Sequence, residues 1–243
     1  QLLRLDLGIF CLHAILTATF IVLPLALTDQ LHLSKMDQAW VYAPVLILSF
    51  LLMVPFVIMA ETKHKMKQVF LSAIALFGLS QLGFIFLGSH ISAVVISLII
   101  FFTAFVLLEA TLPSLVSKLA PISSKGTALG VYSSCQFFGA FAGGSVGGFL
   151  YGEHHISGVY VFCLVLALIW FIFAITMEKP AQVATRMIHL SNIKNEKQAH
   201  ELKQKLLKIN GIKQAKVIVS DKIAYLKVES KVLNEDDLLK FAD

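Results

Sequence analysis

The 243-residue chain is 57% hydrophobic and only 14% charged, with a mean hydropathy of +0.80, against roughly 45–50% and 25% in soluble domains. That composition excludes an ordinary soluble globular protein and points to a membrane. Residues 1–177 carry 7 Lys/Arg and 6 Asp/Glu, whereas residues 178–243 carry 13 and 9, so an apolar body precedes a water-soluble tail. The basic surplus (pI about 9.1) lies in that mixed-sign tail and not in one run, which argues against a nucleic-acid partner. Cys11, Cys135 and Cys163 sit in apolar segments without CxxC spacing. Neither a disulfide framework, nor a metal site, nor a cofactor is expected.

A bilayer core of roughly 30 Å takes about 20 apolar residues as helix. Six segments qualify: 5–27, 38–60, 68–88, 91–115, 127–151 and 157–177. The first exceeds the apolar core of a signal peptide, carries Asp6 and His13, and leads into further spans, so it reads as a span. The chain opens on Gln1 without a Met, and sequence upstream of it is expected. Lys63, Lys65 and Lys67 lie between the second and third segments, Lys118 and Lys125 between the fourth and fifth, and Lys179 and Arg186 after the sixth; the opposite joints hold Lys35. Basic residues in short loops favour the cytoplasm, so both ends of the chain and the tail are expected there, in a multi-pass protein of the cell (inner) membrane whose first partner is the lipid bilayer.

Residues 178–185, with Pro180, read as a linker to a small α+β domain over 186–243. Met187 to Leu190 is strand-like; Asn195 can cap a helix in which Ala199, Leu202, Leu206 and Ile209 share a face, and Gly211 stops it. Lys216 to Ser220, the turn Asp221-Lys222, and Ile223 to Glu229 form a hairpin pattern, in which Ala224, Leu226 and Val228 alternate with Tyr225, Lys227 and Glu229. A second helix is expected from Asn234, with Asp236 and Asp237 in its first turn. The order β-α-β-β-α is a ferredoxin-like plan lacking its last strand, so the domain is expected to be incomplete and one sheet edge open. The loop Leu190 to Glu196 has no cysteine, which excludes thiolate capture of a soft metal, and His189 and His200 read as surface residues.

In the fifth segment Gly126 and Gly130, then Gly139, Gly143 and Gly147, with Gly144, Gly148 and Gly152 one step round, form stripes of bare backbone against which helices can pack closely or slide. The string LPSLVSKLAPISSKGTALGVYSSCQFFGAFAGGSVGGFLYG, from Leu112, combines a Pro-bearing helix, a basic turn ending in Lys125-Gly126, and a Gly-rich helix with Gln136 at its centre. It resembles the tenth-to-eleventh-span region of the major facilitator superfamily, in particular its drug-efflux-like proton antiporters. The resemblance implies an all-α polytopic bundle of six transmembrane helices, half of a twelve-helix fold. It also implies an N-terminal six-helix bundle as partner, expected on the same polypeptide, together with protons and a small amphipathic or drug-like substrate moved by alternating access.

Ionisable groups within spans mark protein interiors or water-filled paths. Glu109 lies about 27 Å along its helix from Ile91 at 1.5 Å per residue, toward the cytoplasmic end, which favours a gate over a central proton site. Loop 61–67 resembles a degenerate copy of the superfamily's acidic-then-basic loop motif, with Glu61 in the acid position and Lys65 or Lys67 as basic partners. The resemblance implies a latch between Glu109 and these lysines. Asp6, His13 and Thr17 share a face of the first span, and His13 is the proton-coupling candidate because imidazole titrates near physiological pH. The superfamily's first and fifth helices of this half line the cavity, which makes Thr17 and Gln136 substrate-contact candidates. Gln81 needs a partner in lipid, and Arg4 with Asp6 reads as an interfacial pair. No HExxH, P-loop or paired intramembrane aspartates are present, so no enzymatic activity is expected. Two functions remain: half of a proton-coupled exporter with a regulatory or docking tail, or a membrane-anchored cytoplasmic sensor without transport. The glycine stripes and Glu109 favour the first.

Overall fold

The computed structural model describes residues 1–63, 65–87, 90–178, 183–190, 193, 195–229 and 232–233. The tail helix expected from Asn234 and residues 179–182 of the expected linker lie outside them. Among the described residues, five helical segments are long and apolar enough to cross a membrane: α1 (Leu2–Asp29), α2 (Lys35–Thr62), α3 (Met66–Leu87), α4 (Ile91–Leu119) and α5 (Lys125–Ile175). Ser34 starts α2 because its hydroxyl accepts the Asp37 N–H and donates to the Asp37 carboxylate at 2.7 Å, satisfying one of the orphan donors of the first turn.

The α5 segment covers 51 residues and contains two consecutive helices. It breaks at His155, whose φ of 54° and ψ of −160° are not helical. Contacts with α1 show what the break does. Phe10, Ala14 and Ala18 face Gly139, Gly143 and Gly147 in the same order, so the first arm of α5 runs parallel to α1. Gly8 meets Trp170 while Ile15 and Thr19 meet Cys163, so the second arm runs antiparallel to it. The expected fifth and sixth spans are therefore two helices that run in opposite directions and meet in a tight reversal at His155.

The chain divides into two compact units, 1–116 with 129–179, and 117–128 with 180–243. In the first, α1 forms the centre: Leu5, Ile9, Leu12 and Ile15 are fully buried. Around it, Phe77 of α3 stacks on Phe101 of α4 at 4.7 Å, and Phe84 on Tyr160 at 5.1 Å, giving directional contacts where lipid offers no hydrophobic drive to associate. In the second unit, β1 (Val183–His189), α6 (Glu196–Leu207), β2 (Ile212–Ile218) and β3 (Ile223–Glu229) form a three-stranded antiparallel sheet in the order β1-β3-β2, with α6 on one face. Asn195 caps α6 as expected, its Oδ1 accepting the Gln198 N–H at 2.9 Å. Strand β2 begins four residues before the expected hairpin arm, because a bulge between Ile212 and Gln214 lets both Ile212 and Ala215 reach the core.

Candidate functional site in the helical unit

The close approach of α1 and α5 comes first, because it sets the site. A Cβ on Gly139 would stand 2.3 Å from the Phe10 carbonyl oxygen, and one on Gly143 2.1 Å from that of Ala14. Only glycine permits backbones this near. That contact brings the polar residues of both helices together with Glu109 of α4.

The amide nitrogen of Gln136 lies 2.9 Å from His13 Nε2 and 3.4 Å from Glu109 Oε1, and His13 Nε2 is 3.8 Å from Glu109 Oε2. The ring of Phe105 stands edge-on to the imidazole at 6.0 Å. Each of the three residues sits well inside its helix arm: His13 is eleven residues after Leu2, Glu109 ten before Leu119, and Gln136 eleven after Lys125, all about 15–17 Å from those ends. Glu109 is eighteen residues after Ile91 and so stays nearer the far end of α4, but it lies deeper from that end than expected. The expectation ended the fourth span at 115, whereas α4 continues through Pro113 to Leu119.

The cluster can hold a proton in two arrangements. With His13 neutral and its Nε2 bare, the Gln136 N–H groups serve both the imidazole and the carboxylate. With His13 protonated, its Nε2–H needs an acceptor, which Glu109 Oε2 or the Gln136 carbonyl oxygen, after an amide turn, supplies. Glu109 Oε2 and His13 Nδ1 are shielded from solvent and make no hydrogen bond among the described residues, so both have capacity for a further partner. The Glu109 side chain as a whole is nevertheless 37% exposed, against 13% for His13.

The other expected residues fall elsewhere. Lys67 donates to the Ile175 carbonyl at 2.8 Å and to that of Met177; Lys65 and Glu61 are exposed. The structure thus brings Glu109 to His13 and Gln136 and not to the loop lysines, because Glu109 sits more than two turns inside α4. Thr17 is committed to its own helix, donating to the His13 carbonyl at 2.9 Å, and a Cβ on Gly144 would stand 3.5 Å from its methyl. A Cβ on Gly126, Gly130 or Gly148 would meet nothing within 4 Å, so the packing stripe is 139, 143 and 147. Arg4 donates to the Thr176 carbonyl at 2.7 Å while Asp6 is buried, in place of the expected pair. Both amide atoms of Gln81 are buried without a hydrogen bond among the described residues.

Across residues 5–223 the chain matches the Major Facilitator Superfamily. It is 39% identical over 240 residues to the inner membrane transport protein YajR of Escherichia coli (strain K12), covering 98% of this chain and 52% of that protein. It is 30% identical over 175 residues to an uncharacterized transporter of Buchnera aphidicola subsp. Baizongia pistaciae (strain Bp), covering 72% of this chain and 44% of that protein. The chain spans about half the length of the curated relatives it matches.

Proposed function

The chain belongs to the major facilitator superfamily, and from that premise we propose that it is the six-span half of a proton-coupled secondary transporter of the inner membrane, exporting small amphipathic compounds by alternating access. The observation that carries this reading is the exposure of Glu109 well inside a membrane helix. A carboxylate cannot face hydrocarbon there, so that side of the bundle faces a water-filled path. A second six-helix bundle supplies the opposite wall, in keeping with a chain half as long as its relatives. His13, Glu109 and Gln136 then form the coupling centre: a proton entering along the path is taken by the His13–Glu109 pair, Gln136 turns to follow it, and substrate competes for the same polar surface.

The tail is a ferredoxin-like domain facing the cytoplasm, with a regulatory role. The order β1-β3-β2, with α6 between β1 and β2 in sequence, is three adjacent strands of the split βαβ plan and supports that assignment.

The test uses the whole polypeptide that carries this chain, reconstituted in liposomes with ethidium as probe. An imposed pH gradient should drive ethidium against its concentration; Glu109→Gln should abolish that drive while leaving downhill ethidium exchange. Gradient-driven accumulation in the Gln variant at the unmodified rate would remove the coupling centre. Failure of the unmodified protein to move ethidium would remove the drug-like substrate class.

A further inference from the structure

Alternation along β3 places Ala224, Leu226 and Val228 on the face packed by α6, so Lys227 belongs on the opposite face, where a lysine is normally solvated. It is instead only 4% exposed. Its ammonium donates to the Lys118 carbonyl at 2.7 Å and to that of Ala120. Lys118 carries one of the last four carbonyls of α4, which have no donor within the helix, and a cation there also complements the negative end of the helix dipole. Lys227 is thus a helix cap supplied from 109 residues downstream.

Cross-strand register adds a second grip. Thr185, Lys227 and Gln214 are directly paired across β1, β3 and β2, forming one row. Gln214 Oε1 accepts the Ile122 N–H at 3.2 Å, and the 3-10 turn Ile122–Ser124 lies on β2 and β3. The sheet therefore binds the backbone of the α4–α5 turn at three points, and that turn clusters with the tail in one compact unit.

We propose that the tail sheet is a clamp on the α4–α5 turn, and that it restrains transport by fixing the junction of the two helices that carry Glu109 and Gln136. Both helices enter this turn, and the cluster cannot change its mutual geometry freely while their junction is held. The regulatory half of this proposal rests on the transport reading above; the clamp itself does not.

The experiment compares Lys227→Met, which keeps the length and loses the donors, with Lys203→Met on the exposed side of α6 as control, in the whole protein. Hydrogen–deuterium exchange of the peptide spanning 117–128 should accelerate at least tenfold in Lys227→Met and stay at the unmodified rate in the control. Downhill ethidium exchange in liposomes should rise at least threefold. Gln214→Leu, which removes only the acceptor for Ile122, should give a smaller change of the same sign and serves if Lys227→Met does not fold. Unaltered exchange of 117–128 in both variants overturns the clamp. Faster exchange with unaltered or slower ethidium movement overturns the restraint. If the unmodified protein moves no ethidium, the transport reading and the regulation that rests on it fail together, whereas the deuterium readout still decides the clamp.

Discussion

The amide of Gln136 is 2.9 Å from the imidazole of His13, and its further contact with Glu109 makes one side chain the tie between three helices. Leaving a shielded polar group without its donor costs about 1–3 kcal/mol, roughly tenfold to a hundredfold in an equilibrium. Gln136→Leu is therefore expected to lower gradient-driven ethidium transport by about that factor. Gln136→Asn should do the same, because an amide one methylene shorter cannot reach both partners. Transport at the unmodified rate in the Leu variant would show that the tie is incidental.

The glycines of α5 should separate into two groups. A methyl on Gly143 would lie 2.1 Å from the Ala14 carbonyl oxygen and 2.6 Å from its Cα, whereas one on Gly148 has open space. Since backbone cannot yield as a side-chain tip can, Gly143→Ala should cost about 1–3 kcal/mol by overpacking, a fall of several degrees in the melting temperature in detergent. Gly148→Ala should melt within about a degree of the unmodified protein. Equal responses at the two positions would contradict the parallel α1–α5 contact.

The spans were legible because composition and length alone define them: helices α1 to α4 fall where apolar runs lie, and the Asn195 cap fixes the start of α6, which ends at Leu207, short of Ile209 and of the expected stop at Gly211. The site was legible only in pieces. His13, Glu109 and Gln136 each stand out as polar groups in apolar helices, but helical spacing relates residues within one helix, and their union depends on the α1–α5 approach at Gly139 and Gly143. Glu109 lies deeper from its helix end than expected because α4 runs past the expected limit at 115 to Leu119. Lys227 carried no signal at all. On a strand of alternating polarity it is indistinguishable from a solvated lysine, and only the α4–α5 turn folded onto the sheet reveals what it touches.

Lys67 sits in the first turn of α3, where a cation is unfavourable for its own helix, yet it donates to the carbonyls of Ile175 and Met177 at the end of α5. There it complements the dipole of the second arm, an effect of about 0.3–1 kcal/mol at an exposed site. Lys67→Met should therefore speed deuterium exchange in the 170–178 peptide by roughly two- to fivefold, with Lys65→Met, at an exposed position, as the silent comparison. Identical exchange in the two variants would mean that the ammonium adds nothing to that helix end.

The last prediction concerns pH and the tail. Burial first, and the positive charge of Lys125 second, hold the proton affinity of Lys227 below the ordinary lysine value of 10.5. In the unfolded tail Lys227 is an ordinary lysine, so between its lowered folded value and 10.5 the unfolded state binds more protons than the folded one. Stability contributed at this position must then rise with pH across that window. The neutral amine still donates to the Lys118 and Ala120 carbonyls, so the clamp survives deprotonation and no longer carries the desolvated charge. The charge of Lys125 acts in the same direction, while the Lys213–Glu229 pair at 3.1 Å is partly exposed and contributes little. Proteolysis of the tail, with cleavage sites identified by mass spectrometry, measures this as the ratio of survival in the unmodified protein to that in Lys227→Met. The ratio cancels the protease's own pH dependence and should grow as the pH rises toward the ordinary lysine value of 10.5. A flat or falling ratio would mean that Lys227 titrates as an exposed lysine and that the turn does not cover it in solution.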